Sequence, residues 1–139
     1  MFVIHFAADL HQPMHVSDNG DQGGNQVDVS YFGRRTRLHA LWDSGILRRM
    51  GGEDQLLAYL QRELTPQKAA GLARGSVESW AQESKTAARE VAYGRLPQRP
   101  KGTVILLSEP YARFAEPVTR EQLERAGARL ASLLNEALR

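Results

Sequence analysis

Residues 1–15, MFVIHFAADLHQPMH, hold three of the four histidines of this 139-residue chain. The apolar spacing and the alanine pair predict a helix over 2–12, which Pro13 ends. His5 and Asp9 stand four residues apart on that helix, so both side chains share one face. His11 and His15 have the same separation, but Pro13 lies between them. We therefore expect the chain to leave the helix and to aim His15 in another direction.

The remaining histidine lies in LHALWD, where His39 and Asp43 repeat the spacing of four on a second predicted helix. Imidazole nitrogen and carboxylate oxygen are ligands that suit zinc, and three protein ligands leave one coordination position open. His15, His39 and Asp43 could form such a site, and the pair in the first helix could form half of another. The same spacing also suits an ordinary hydrogen bond on a helix, so the pattern leaves both interpretations open.

The rest of the chain predicts a mainly α domain with one small β element. Segment 17–25 is rich in turn residues. Apolar and polar residues alternate over 26–32, which predicts a short hairpin or an edge strand that Gly33 closes. Further helices are predicted over Thr36–Asp43 (ended by Gly45), over 52–64, from Thr65 and Pro66, over 76–94 (ended by Gly94) and over 119–139 (begun by a capping box of Thr119 and Gln122). The predicted buried faces are Val77, Trp80, Ser84, Ala88 and Val91, and Leu123, Ala126, Leu130, Leu133 and Leu134; Trp42 is also expected in the core. Residues 1–139 are expected to be a single domain.

Composition narrows the possible chemistry. The chain has no cysteine, so disulfides and cysteine-based zinc sites are excluded. No apolar run approaches the ~18 residues of a membrane span, and the chain begins without a signal-peptide pattern. The formal charge is only +2, but Arg34, Arg35, Arg37, Arg48 and Arg49 crowd one stretch. That patch could bind an anionic partner such as phosphate, or it could be an ordinary arginine-rich surface exposed to solvent.

Three segments together resemble one known family. HFAADLHQPMH, GDQGGNQVDVSYFG and LHALWDSGIL are similar to the C-terminal half of the S1/P1 nucleases, zinc-dependent single-strand nucleases that share a helical fold with bacterial phospholipase C. SWAQES, PYARFAEPV and AGARLASLLNEAL resemble the later helices of that family, so the similarity covers nearly the whole chain. The resemblance implies the phospholipase C/P1 nuclease-like fold, incomplete at its N-terminus.

The resemblance also implies a role for each ligand residue in a cluster of three zinc ions. His5 would bind the first zinc, and Asp9 would bridge it to the third and hold the attacking water. His15, His39 and Asp43 would complete the second zinc site. The family's other ligands come from a first half that has no counterpart here, either because the chain is truncated or because its start codon is mis-set. His11 is expected to be a core histidine or to support a ligand from behind.

The implied activity is hydrolysis of single-stranded DNA and RNA to 5′-nucleotides by a full-length protein that is secreted or periplasmic, and 3′-nucleotidase activity is a further expectation. This chain alone is expected to be inactive or a poor catalyst, and its uncovered apolar surface could favour association. Asn25 is either a substrate contact or a residue needed by the turn. Two alternatives are a phospholipase C-like phosphodiesterase and a truncated, non-catalytic zinc-binding module.

Overall fold

Seven α-helices and three short strands form the described part of the chain. The computed structural model describes the backbone of residues 2–100 and 102–139, and the side chains of 4–100 and 102–139. The helices are α1 (Phe2–Asp9), α2 (Leu38–Ala40), α3 (Ile46–Arg49), α4 (Gly52–Glu63), α5 (Pro66–Leu72), α6 (Val77–Ala87) and α7 (Glu109–Ala137). A 3-10 turn spans Pro13–His15, and π-helical turns span Leu41–Gly45 and Ala88–Tyr93. The strands are β1 (Asp28–Tyr31), β2 (Arg34–Arg37) and β3 (Ile105–Leu107). The mainly α prediction with one small sheet is confirmed.

The sheet has the order β2-β1-β3. β1 and β2 form the expected antiparallel hairpin, with Val29 opposite Thr36. The predicted strand over 26–32 is shorter than expected, and its turn consists of Phe32 and Gly33, both with positive φ. β3 was not predicted, and it pairs in parallel with β1, so that Val29 also faces Ile105. The hairpin therefore becomes a three-stranded sheet with β1 at its centre.

The helix predicted over Thr36–Asp43 begins later and ends later. Thr36 belongs to β2, and the helical path runs over 38–49 through α2, the π-helical turn and α3. Gly45 does not end it, because Gly45 itself has helical dihedral angles and the next residue, Ile46, is fully buried. A Cβ on Gly45 would lie only 2.8 Å from Leu41 Cδ1, so glycine serves close packing there.

The middle helices follow their predicted signals. Thr65 caps α5 by accepting a hydrogen bond from the Lys68 amide, and Pro66 is its first residue. α6 continues through the second π-helical turn to Tyr93, directly before Gly94. Of the face predicted for 76–94, Trp80, Ser84 and Ala88 are buried, Val91 is half-buried and Val77 is exposed.

The predicted start of the last helix at Thr119 is wrong. α7 begins at Glu109 and continues through Pro117. Thr119 instead donates a 2.8 Å hydrogen bond to the Ala115 carbonyl, and Gln122 donates to Ser84 Oγ. Burial of the first turns outweighs the cost of a proline inside the helix. The apolar face predicted from Leu123 to Leu134 is half-buried throughout.

The core joins the sheet to the helical path 38–49 and to α7. Val29, Leu38, Leu41 and Ile46 are fully buried. Trp42 is also buried, as predicted, and its indole N–H donates to the Tyr111 hydroxyl, which donates to the Ala92 carbonyl. These bonds anchor the helix that carries His39 and Asp43. No helix in the described ranges is long and apolar enough to cross a membrane.

Candidate metal centre

The first ligand pair lies on α1, as the spacing predicts. His5 Nε2 is 3.0 Å from Asp9 Oδ2, one helical turn away. Asp9 is the last residue of α1. Its carboxylate therefore sits where the chain turns away from the helix and can face groups that follow in the sequence.

His15 lies between Asp9 and the second pair. The chain leaves α1 and enters the 3-10 turn, where Pro13 stands at the first position and His15 at the last. His15 Nδ1 is 3.4 Å from Asp9 Oδ1, and its Nε2 is 3.1 Å from Asp43 Oδ1. One imidazole thus contacts carboxylates from both predicted sites.

The second pair lies where α2 enters the π-helical turn. His39 Nε2 is 3.6 Å from Asp43 Oδ2. The rings of His15 and His39 stack, with centroids 5.0 Å apart and planes at 18°. The five predicted ligand residues therefore form one connected series of side chains, from His5 through Asp9, His15 and Asp43 to His39.

The glycine-rich turn orients the His39 ring. The Gly23 carbonyl can only accept a hydrogen bond, so His39 Nδ1, 2.8 Å away, is the donor. Nε2 then carries the free lone pair and points toward Asp43, which is the arrangement that metal-binding histidines require. The Gly23 amide donates to Asp18 Oδ1, and this bond together with that from the Asp21 amide lowers the pKa of the Asp18 carboxyl.

His15, His39 and Asp43 are the one group in the described residues whose ligand atoms converge. Two imidazole nitrogens and one carboxylate oxygen lie within 4.8 Å of one another. This donor set matches the chemistry of a zinc site with three protein ligands and one open position. His5 and Asp9 add one nitrogen and one carboxylate nearby, fewer than a complete site needs.

Asp9 and His15 separate two hollows in the surface. One is an apolar groove of about 260 Å³ that also contacts Trp42 and Thr119. The other has a volume of about 600 Å³, and its lining includes Gln22 and His39. The ligand side chains are therefore accessible from two sides.

His11 does not contact the predicted ligand side chains. It is buried, its Nδ1 donates to the Ala7 carbonyl at 2.6 Å, and its Nε2 accepts from Arg129 at 2.9 Å. Burial is the main reason that the pKa of His11 is lowered, and Arg129 lowers it further. Arg129 also donates to Glu83, so His11 ties the end of α1 to α6 and α7. His11 can therefore influence the metal centre only by holding the α1 backbone near Asp9.

Asn25 is exposed, and its side-chain amide donates to the Gln22 carbonyl at 3.0 Å. This bond serves the turn, and the role of Asn25 as a substrate contact remains a prediction. Sequence reasoning missed Gln12, whose side chain reaches Asp43, and the Gly23 carbonyl that orients His39. A glutamine next to a proline carries no specific sequence signal for such a contact.

Comparisons with known proteins identify relatives over the whole chain. A family model described as S1/P1 Nuclease matches residues 1–139. Endonuclease 1 of Arabidopsis thaliana is 32% identical over 152 residues, covering 97% of this chain and 48% of that protein. Endonuclease 2 of the same plant is 29% identical, covering 97% and 50%. Nuclease S1 of Aspergillus oryzae is 43% identical over 51 residues, which cover 37% of this chain and 17% of that protein. The chain spans about half the length of the Arabidopsis relatives.

Proposed function

The chain belongs to the S1/P1 nuclease family, and we propose that it forms the C-terminal metal-binding part of a zinc-dependent nuclease. The proposed reaction is hydrolysis of phosphodiester bonds in single-stranded DNA and RNA, giving 5′-nucleotides, with 3′-nucleotidase activity as a second reaction. The observation that carries the proposal is the convergence of His15, His39 and Asp43. We also propose that the full-length protein is exported.

The three converging residues would hold one zinc ion, the second of the family's cluster. A bound zinc ion supplies Lewis acidity, which lowers the pKa of a coordinated water and neutralises charge on the phosphate. The Gly23 carbonyl keeps His39 Nε2 free to bind, and Gln12 holds one oxygen of Asp43. These contacts fix the ligands before an ion arrives, which reduces the cost of ordering them.

Asp9 is the proposed catalytic carboxylate. It lies between His5 and His15, and its two oxygens contact different imidazoles. From that position it can accept a hydrogen bond from an attacking water and align it with a phosphate. His5 and Asp9 are two ligands of sites that need further ligands, so we propose that the chain alone is inactive. Asn25 is proposed as a substrate contact beside the glycine-rich turn.

Zinc calorimetry tests the metal site directly. We expect the chain to bind one equivalent of zinc and His39→Ala to abolish that binding. His5→Ala is the matched control, because it removes a histidine outside the converging group, and we expect it to retain the full stoichiometry. No zinc uptake by the unaltered chain, or uptake that His39→Ala leaves unchanged, would refute the site.

A fusion tests the activity. The first half of Endonuclease 1 is placed before Met1, and cleavage of single-stranded and double-stranded oligonucleotides is measured with added zinc. We expect zinc-dependent cleavage of the single strand, and loss of that cleavage with Asp43→Asn. A fusion that folds and binds zinc but cleaves neither substrate contradicts the nuclease function and favours a non-catalytic zinc-binding module.

A further inference from the structure

Tyr93, the last residue of the second π-helical turn, reaches the glycine-rich turn over 17–25 beside the metal centre. Its hydroxyl donates a 2.8 Å hydrogen bond to Oδ1 of Asp21, 72 residues earlier in the chain. An ionised carboxylate can only accept, so the phenol is the donor. Tyr93 also packs against the hydrophobic core. This bond therefore joins the glycine-rich turn to a residue that the core holds in place.

The carboxylate of Asp21 fixes one peptide unit of the turn. Its Oδ1 also accepts a 2.8 Å hydrogen bond from the Gly24 amide. The Gly24 N–H and the Gly23 carbonyl belong to the same planar trans peptide unit, in which they point in opposite directions. The Gly23 carbonyl is the acceptor that orients the His39 ring through Nδ1. Asp21 and His39 therefore bind the two ends of one rigid unit, so the position of Asp21 sets the direction of the Gly23 carbonyl.

Hydrogen bonds from outside the turn are needed to fix this peptide unit. Gln22, Gly23 and Gly24 all have positive φ. Glycine populates positive and negative φ about equally, so two consecutive glycines do not by themselves set the direction of the peptide between them. Asp18 accepts from the Gly23 amide, but that bond lies within the turn and moves with it. The bond from Tyr93 is anchored outside the turn, at the end of a helical segment.

The backbone that carries Tyr93 is itself anchored to the core. Ala92 is fully buried, and its carbonyl accepts a 2.9 Å hydrogen bond from the Tyr111 hydroxyl. That hydroxyl accepts in turn from the indole of Trp42, the residue before Asp43. Two chains of hydrogen bonds therefore start at adjacent residues. One leads from Ala92 to the segment that carries Asp43, and the other leads from Tyr93 to the glycine-rich turn.

We propose that Tyr93 is a positioning residue of the metal centre, which acts through Asp21 and the peptide unit 23–24 to present His39 Nε2 to an ion. The Tyr93 hydroxyl binds the carboxylate that holds this peptide unit, so its effect is on the orientation of the imidazole. The inference rests on the proposed function for the presence of an ion at His39. The orientation of the metal-free ring depends only on the hydrogen bonds.

The first test examines the His39 ring without metal. Nitrogen-15 NMR in EDTA at about pH 8, where imidazole in water is neutral, distinguishes the two neutral tautomers. We expect the unaltered chain to carry the His39 proton on Nδ1 and Tyr93→Phe to give a mixture of both tautomers. A His39→Ala sample assigns the signal. A general loss of stability would not change this ratio, so the measurement separates positioning from support of the fold.

Tyr31→Phe is the matched control for the loss of a phenol hydroxyl. The Tyr31 hydroxyl is buried and has no hydrogen-bond partner among the described residues. We expect Tyr31→Phe to leave both the His39 tautomer and the zinc affinity unchanged. Circular dichroism and thermal unfolding check that each variant folds.

Zinc calorimetry gives the second readout. Loss of a direct partner of a metal ligand typically costs ~10–100-fold in affinity, and Tyr93 acts from further away. We expect Tyr93→Phe to raise the zinc Kd about fivefold and Asp21→Ala to raise it about tenfold. Asp21→Asn keeps an acceptor oxygen for both donors, so its Kd should stay within about twofold of that of the unaltered chain. This rescue distinguishes positioning by hydrogen bonds from an electrostatic effect of the carboxylate.

A double variant tests whether Tyr93 acts through Asp21. When Asp21→Ala is already present, Tyr93→Phe should raise Kd by less than about twofold more, because residues of one hydrogen-bond network are not additive. Three results would each overturn the proposal. They are an unchanged His39 tautomer in Tyr93→Phe, a zinc Kd for Tyr93→Phe equal to that for Tyr31→Phe, and a full further loss of affinity in the double variant.

These measurements separate the role of Tyr93 from the proposed function. If the unaltered chain takes up no zinc but Tyr93→Phe still changes the His39 tautomer, the metal site is refuted and the positioning of His39 stands. If His39→Ala abolishes zinc binding but Tyr93→Phe changes neither the tautomer nor Kd, the role of Tyr93 alone is refuted.

Discussion

Gln12 Nε2 donates a 2.6 Å hydrogen bond to Oδ1 of Asp43, 31 residues further along the chain. Oε1 of the same amide accepts a hydrogen bond from the Met14 backbone N–H. A single side chain therefore closes the 3-10 turn that carries His15 and holds the carboxylate that His15 contacts. The two segments of the converging group are positioned relative to each other by this amide.

Gln12→Ala should weaken zinc binding roughly tenfold, since loss of a partner behind a metal ligand typically costs ~10–100-fold in affinity. Asp43 would keep its contacts with the histidines but lose the donor that fixes its orientation. Calorimetry of the variant against the unaltered chain measures the effect. Gln67→Ala, on the exposed face of α5, is the control and should leave zinc affinity unchanged. Equal affinities for the unaltered chain and Gln12→Ala would show that the amide has no part in the site.

Gly23→Ala should be more damaging than Gly20→Ala, although both glycines have positive φ. A Cβ at Gly23 would lie 3.0 Å from the Met14 carbonyl and 3.7 Å from His39 Nδ1, whereas a Cβ at Gly20 meets nothing within 4 Å. We expect Gly20→Ala to lower the free energy of unfolding by about 1 kcal/mol, from backbone strain. Gly23→Ala should cost about 2 kcal/mol and also weaken zinc binding. Urea denaturation and calorimetry check both variants, and identical losses would rule out crowding at His39.

Arg129→Met should destabilise the chain by about 3 kcal/mol, because it leaves His11 and the Leu72 carbonyl without their donor. Arg125→Met is the matched control. Its side chain is 23% exposed, compared with 3% for Arg129. We expect the control to cost about 1 kcal/mol or less. Urea denaturation measures both, and the prediction fails if the two variants lose the same stability.

Stability should fall at alkaline pH because three tyrosines resist ionisation in the folded chain. Burial raises the pKa of Tyr31 to about 12, and burial also raises the pKa values of Tyr93 and Tyr111. Their unfolded pKa is about 10. The folded state therefore holds protons that the unfolded state releases, so this stability is complete below pH 10 and is lost as the pH rises toward 12.

Each tyrosine should reduce the free energy of unfolding by up to about 1.4 kcal/mol per pH unit in that range. Tyr31→Phe removes the contribution of one of these tyrosines to the pH dependence of the free energy of unfolding. Because its hydroxyl has no hydrogen-bond partner among the described residues, the substitution should cost little at pH 7. Denaturation at a series of pH values, with phenolate absorbance, tests this. If the slope of the unfolding free energy against pH is unchanged in Tyr31→Phe, Tyr31 does not contribute to the alkaline loss of stability.

Local signals in the sequence predicted local structure. Thr65 with Pro66 marks the start of α5, and Gly94 follows directly on the end of a helical segment. The spacing of four brought His5 near Asp9 and His39 near Asp43, because that spacing is a property of the helix itself.

Features that depend on distant residues could not be predicted in the same way. The capping box of Thr119 and Gln122 predicted a helix start, but the buried first turns of α7 carry the helix through Pro117 and past Thr119. Gly45 was expected to end a helix, whereas buried Ile46 continues it. The bonds from Gln12 to Asp43 and from Arg129 to His11 join segments that only tertiary packing brings together. Parallel pairing of β1 with β3 likewise requires a strand that lies 74 or more residues away.

The long-range contact between His11 and Arg129, 118 residues apart, bears on how the centre is made in the cell. Every predicted metal ligand lies between His5 and Asp43 and is therefore synthesised before β3 and α7. The end of α1 acquires its anchor only when α7 has been synthesised, and β1 acquires its second neighbour only with β3. The ligands are thus translated before the helix that anchors the end of α1, which couples the final placement of Asp9 to the synthesis of α7.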